Sequence, residues 1–138
     1  MNIRTMTIND YEAVYNLWQS SPGVGLNDID DSEVGIAKYL SRNPNTCFVA
    51  EKNNCIIGAA LSGHDGRRGY ISHLAVSHSE QRQRIGSKLV TVILYALENE
   101  DIHKVALVVF DKNVAGNVFW EKQGFTVRED LVYRNKII

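Results

Sequence analysis

From Leu74 to Leu89 the chain reads Leu-Ala-Val-Ser-His-Ser-Glu-Gln-Arg-Gln-Arg-Ile-Gly-Ser-Lys-Leu. An apolar strand runs into a basic, glycine-containing turn that opens a helix. Several backbone N–H groups at a helix start lack intrahelical partners, and the macrodipole places partial positive charge there, so a phosphate gains both hydrogen bonds and Coulomb attraction. Arg82, Arg84 and Lys88 add full charges, and Gly86, which has no Cβ, lets the backbone approach an anion closely. These residues point to a phosphorylated ligand.

Two phosphate motifs are excluded by spacing. A P-loop places its second glycine directly before Lys-Ser or Lys-Thr, whereas Ser87 separates Gly86 from Lys88. A dinucleotide fingerprint needs three glycines and a later acidic residue, and Gly86 is alone in its turn. The segment Gln81-Arg82-Gln83-Arg84-Ile85-Gly86 instead resembles the acyl-CoA-binding signature of the GNAT N-acetyltransferase superfamily, Gln/Arg-x-x-Gly-x-Gly/Ala, with Arg84 where the first glycine is expected. Downstream, the run from Asn113 to Phe125 resembles the family's Asn-x-x-Ala-x-x-x-Tyr-x-x-x-Gly-Phe helix and turn. Read without the resemblance, Asn113 is a helix N-cap and Gly124 the left-handed residue that ends the helix.

A chain of 138 residues with only two prolines and no linker or repeat is expected to form one domain, residues 1–138. Its 15 basic residues nearly balance 16 acidic ones, which argues against a nucleic-acid surface and makes the basic turn a local feature. Cys47 and Cys55 are expected as buried, reduced thiols, in keeping with a cytoplasmic protein. No signal peptide opens the chain, and the longest apolar run, Leu89 to Leu97, is too short to span a bilayer, so no membrane partner is expected.

Periodicity and turn residues predict strands at Ile3–Thr7, Thr46–Glu51, Ile56–Ser62, Tyr70–Val76, Lys104–Phe110 and Phe125–Arg134. Helices are predicted from a cap marked by Thr7 with Asp10, after Asp31 or Ser32, over Ile85–Glu98 and over Val114–Gln123, with Asn53-Asn54 as a hairpin turn. The fold class is α/β: a mixed, mostly antiparallel sheet of six or seven strands with helices on both faces, the order that the resemblance also implies.

The resemblance implies acetyl-CoA as acetyl donor, with no metal, and direct attack of an amine on the acetyl carbonyl. It assigns Leu74, Ala75 and Val76 to the pantetheine arm and Arg82, Gln83, Arg84, Ile85, Gly86 and Ser87 to the pyrophosphate, with Asn113, Phe119 and Trp120 across the thioester. Many relatives carry at the position of Trp120 a tyrosine that protonates the leaving thiolate, and an indole N–H does not replace a phenol. The glutamates that serve relatives as bases correspond here to Val108 and Tyr70. Strand alternation places Tyr70, Ser72 and Leu74 on one face and Ile71, His73 and Ala75 on the other. Tyr70 and Ser72 are therefore the expected catalytic residues, orienting a water that carries the proton away, and His73 is expected to be a packing residue unless a bulge reverses the facing. Asn27 and Asp28, in the loop before the second helix, are the expected acceptor-binding residues.

The leading function is an N-acetyltransferase acting on a primary amine of a small molecule or a protein. With the usual acid and bases missing, a non-catalytic acyl-CoA-binding or interaction module is the alternative, and monomer and homodimer both stay open.

Overall fold

The computed structural model describes residues 1–138. Its sheet keeps sequence order: β1 (Asn2–Thr5), β2 (Phe48–Lys52), β3 (Cys55–His64), β4 (Gly69–Val76) and β5 (Val105–Ala106). The first four strands are mutually antiparallel and β5 is parallel to β4. A parallel pair needs a crossover, which α3 (Ile85–Asn99) supplies; α1 (Tyr11–Gln19) and α2 (Glu33–Arg42) join β1 to β2, and α4 (Val114–Lys122) follows β5.

Local chemistry sets these boundaries. Asn53 and Asn54 both adopt left-handed backbone, φ 52° and 64°, as a two-residue hairpin turn requires and as asparagine tolerates. Ser32, the alternative to Asp31 as cap, accepts the Gly35 N–H at 3.0 Å and starts α2.

Apolar residues divide between the two sheet faces. Val14, Leu17 and Trp18 of α1 and Ile36 and Leu40 of α2 bury against Val49, Leu61 and Ala75. On the other face Ile85, Leu89, Ile93 and Leu97 of α3 meet Ala50, Ile57 and Ile71. Each fully buried aliphatic side chain contributes about 1.5–3 kcal/mol by leaving water.

The sheet has five strands rather than six or seven. β5 pairs with β4 only at Gly69↔Val105 and Tyr70↔Ala106, so the expected strand Lys104–Phe110 shortens to two residues. Phe125–Arg134 forms no strand, and its apolar residues Val127, Leu131 and Val132 are exposed. Cys47 is buried as expected, and burial pushes its thiol up to about 11. Cys55 is exposed at the hairpin, contrary to expectation. No helix is long and apolar enough to cross a membrane.

Arg4 ties β1 to the entry of α1. Its guanidinium donates to both carboxylate oxygens of Asp10, at 2.9 and 2.8 Å, while the Thr7 N–H donates to the same carboxylate at 2.9 Å. These bonds, Arg4 first, hold the Asp10 carboxyl below its ordinary value. A lowered carboxyl contributes stability that is present above the unfolded pKa and lost as pH falls through the folded one. Asp10→Asn is therefore expected to cost about 1 kcal/mol at neutral pH, a modest figure because Arg4 is partly solvated. Urea unfolding across pH checks this: the cost should shrink as pH drops below about 4.

Candidate active site

The strand that leads into the basic turn is not regular. Ser72 stands opposite Leu61 and Ala75 opposite Ala59, so His73 and Leu74 share the single position facing Ala60. This is a β-bulge. His73 takes left-handed backbone, φ 56°, a conformation that costs a side-chain-bearing residue on the order of 1–2 kcal/mol. Three contacts hold it there. The Trp18 indole N–H donates to the His73 carbonyl at 3.0 Å, the imidazole lies edge-on to that indole, and its Nε2 is 2.7 Å from Asp31 Oδ1.

The bulge reverses the facing of every residue after it. Ile71 belongs to the α3-side core and Ala75 to the α1-side core, although four residues apart they would share a face in a regular strand. Leu74 consequently packs toward α3 instead of facing with Tyr70 and Ser72. His73, expected on the opposite face, joins the α1 side beside Trp18. Tyr70 and Ser72 border a hollow with Tyr39 and Asn43. Burial holds the Tyr70 phenol above its ordinary value, with Tyr133 nearby adding to the shift, so the hydroxyl keeps its proton at neutral pH.

Beyond the last ladder pair β4 and β5 separate, and the space between them is a cleft of about 1300 Å³. Residues 70–76 form one wall and Leu107–Asp111 with α4 the other. The α1–α2 loop closes the near end. A Cβ on Gly23 would stand 2.8 Å from Asn113 Nδ2 and one on Gly25 3.1 Å from the Phe110 ring, so glycine permits the loop to meet the segment after β5 and the cap of α4 so closely.

At the far end is the basic turn. Arg82 and Arg84 are left-handed, φ 72° and 60°, and the first helical bond of α3 runs from the Lys88 N–H to the Arg84 carbonyl. The backbone N–H groups from Arg82 to Ser87 meet no protein acceptor, and this side of the cleft is lined by Arg82, Arg84, Gly86 and Ser87. Ile85 buries its side chain in the core and offers only backbone. α4 supports the turn: Gln123 donates to Ser87 Oγ at 2.9 Å, and the Phe119 ring lies 3.3 Å from where a Gly86 Cβ would be.

The remaining expected residues divide. Asn113 caps α4, accepting the Gly116 N–H at 2.9 Å, and also lines the cleft, as do Phe119 and Trp120. Trp120 packs edge-on to both Phe119 and Phe125. Asn27 and Asp28 are not in the cleft wall. The Asn27 amide oxygen accepts from the N–H groups of Ile29 and Asp30, which makes it a loop-shaping residue. Asp31 and Trp18 escaped the sequence reading as site residues, since a loop aspartate and a core tryptophan carry no local sign of meeting at a strand 42 to 55 residues away.

A family model described as the acetyltransferase (GNAT) family matches residues 11–125. An acetyltransferase of Photorhabdus laumondii is 31% identical over 145 aligned positions, covering all of this chain and 96% of that protein. One from Pectobacterium atrosepticum is 28% identical over 138 positions, with the same coverage. The PaiA N-acetyltransferase of Thermoplasma acidophilum, solved in complex with coenzyme A, superposes with a TM-score of 0.82 at 18% identity over 93% of this chain and 91% of that one, a shared fold.

Arg84 fills a left-handed position that glycine adopts without strain. Arg84→Gly is expected to raise stability by up to about 1 kcal/mol, the strain relief of about 1–2 kcal/mol being partly offset by the freer unfolded chain. The urea midpoint reads this directly; an unchanged or lower midpoint would show that the arginine side chain compensates the backbone.

Proposed function

The chain belongs to the acetyltransferase (GNAT) family, and from that premise we propose that it transfers an acetyl group from acetyl-CoA to a primary amine of a small molecule or a protein by direct attack. The acetyl-CoA dependence comes with the family; the amine class and the residue roles below are the proposal. The observation that carries it is the run of unpartnered N–H groups from Arg82 to Ser87 at one end of a cleft that continues along β4 to the bulge.

In this reading the pyrophosphate lies on the N–H groups of the Arg82–Ser87 turn, where the α3 dipole and the charges of Arg82 and Arg84 favour it. Gln83 contributes backbone, and so does Ile85. The pantetheine arm runs beside Leu74, Ala75 and Val76, whose edge beyond the last β5 pair is free to hydrogen-bond an extended ligand. Asn113, Phe119 and Trp120 form the opposite wall. The acceptor enters near the α1–α2 loop, where Tyr70 and Ser72 offer hydroxyls to orient the amine and a water.

Attack by a neutral amine needs the nucleophile placed against the carbonyl, a donor for the developing oxyanion and a destination for one proton. Trp120 offers no phenol, so the thiolate departs without a proton from that position.

The test is acetyl-CoA titration by calorimetry against Gly86→Glu, with Gly86→Ala as control. Both variants press a Cβ on the Phe119 ring, and only glutamate adds negative charge where the phosphate rests. Glutamate is expected to weaken binding at least about 30-fold, roughly 2 kcal/mol of lost charge-assisted hydrogen bonding, with alanine close to wild type. Circular dichroism verifies folding. A folded Gly86→Glu protein that binds acetyl-CoA as wild type does would remove this turn from the site.

A further inference from the structure

The His73 ring is oriented like a base rather than merely packed. Asp31 Oδ1 lies 2.7 Å from Nε2, and a carboxylate oxygen accepts, so Nε2 holds a ring proton and, in the neutral ring, Nδ1 carries the lone pair. Nδ1 has no protein partner, and it is not sealed in. The one solvent-inaccessible side-chain nitrogen or oxygen in the chain without a partner is Ser62 Oγ. Nδ1 therefore reaches open space, and the hollow that His73 lines is the cleft between β4 and β5.

Asp31 is fixed at least as firmly. It is 6% exposed, its Oδ2 accepts the Asn27 N–H at 2.7 Å, and its carbonyl accepts the Tyr11 hydroxyl at 2.7 Å. The groups packed on His73 are few in kind. The α1–α2 loop presents the Asp31 carboxylate, α1 presents the indole of Trp18, which does not titrate, and β3 presents Ala59 and Ala60. The Tyr11 hydroxyl reaches the site only through the Asp31 carbonyl.

We propose that His73 is the catalytic proton acceptor of the transfer and Asp31 its positioning residue, a proposal that rests on the acetyl-transfer reading above. The amine lone pair attacks the thioester carbonyl carbon and the C–N bond forms. The C–S bond breaks, and its electron pair leaves with the CoA thiolate. The surplus proton on nitrogen passes to His73 Nδ1, giving an imidazolium whose Nε2–H still donates to Asp31, and returns to solvent through the open cleft. The arrangement of carboxylate, imidazole and reacting proton follows the logic by which a buried carboxylate fixes the tautomer of a catalytic histidine.

The test compares wild type, His73→Gln and Asp31→Asn on three readouts. Acetyl-CoA affinity is measured by calorimetry. Turnover across pH uses the best acceptor among spermidine, phenethylamine, Nα-acetyl-lysine and an alanine-starting peptide. Carbethoxylation by diethylpyrocarbonate, mapped by mass spectrometry, reports directly on a free imidazole nitrogen and needs no acceptor. His73→Gln is expected to bind acetyl-CoA within about twofold of wild type, to lose about a hundredfold or more in kcat, and to lose the acidic limb of the rate profile. Asp31→Asn is expected to lower kcat with acetyl-CoA affinity held, and wild-type His73 is expected to be carbethoxylated and protected by acetyl-CoA.

Turnover within about threefold of wild type in His73→Gln would overturn the proposal. So would an equal loss of acetyl-CoA affinity, the mark of a structural staple, or a His73 that resists carbethoxylation in the folded protein. A wild-type protein that does not bind acetyl-CoA would instead sink the acetyl-transfer reading itself.

Discussion

A left-handed histidine in the middle of a central strand is a conformation that the strand would not adopt alone, and the rest of the site depends on what holds it. The Trp18 indole N–H takes the His73 carbonyl, and Asp31 takes the ring. Each bond contributes about 1 kcal/mol or somewhat more, enough together to offset backbone strain of about 1–2 kcal/mol. The bulge that results lets Ile71 serve one core and Ala75 the other, and it turns His73 toward the cleft. Packing and site geometry thus share one cause. Trp18 is fully buried because it joins the α1-side core to that bulge.

The other end of the cleft is built from a different physical resource. The unpartnered backbone N–H groups at the start of α3 stand beside Arg82 and Arg84, a combination that favours an anion. The two ends are joined by β4 itself: the strand that bulges at His73 continues through Val76 toward the turn at Arg82. A thioester held at one end by its phosphates would be presented at the other beside the bulge.

Much of this was legible in the sequence. The Asn113 cap and the Asn53-Asn54 turn act through backbone rules that need no tertiary partner. The facing of residues beyond Ser72 was not legible, because alternation assumes a regular strand and a bulge is fixed by contacts from α1 and the α1–α2 loop. Asn27 misled in another way: the resemblance places the acceptor-binding segment in its loop, and its amide oxygen is committed to neighbouring N–H groups. The expected strand at Phe125–Arg134 has the right alternation and no ladder. Alternation reports a preference for extended backbone, and pairing depends on the neighbour.

In the proposed site the bulge and the basic turn are two ends of one ligand cleft. Amide NMR during titration with acetyl-CoA tests it most directly, because each backbone N–H reports its own surroundings. The largest shifts are expected to fall together in two segments, residues 73–76 and 82–87, at one common affinity. Shifts confined to the turn while residues 73–76 stay unmoved, or centred on the loop around Asn27 and Asp28, would contradict it.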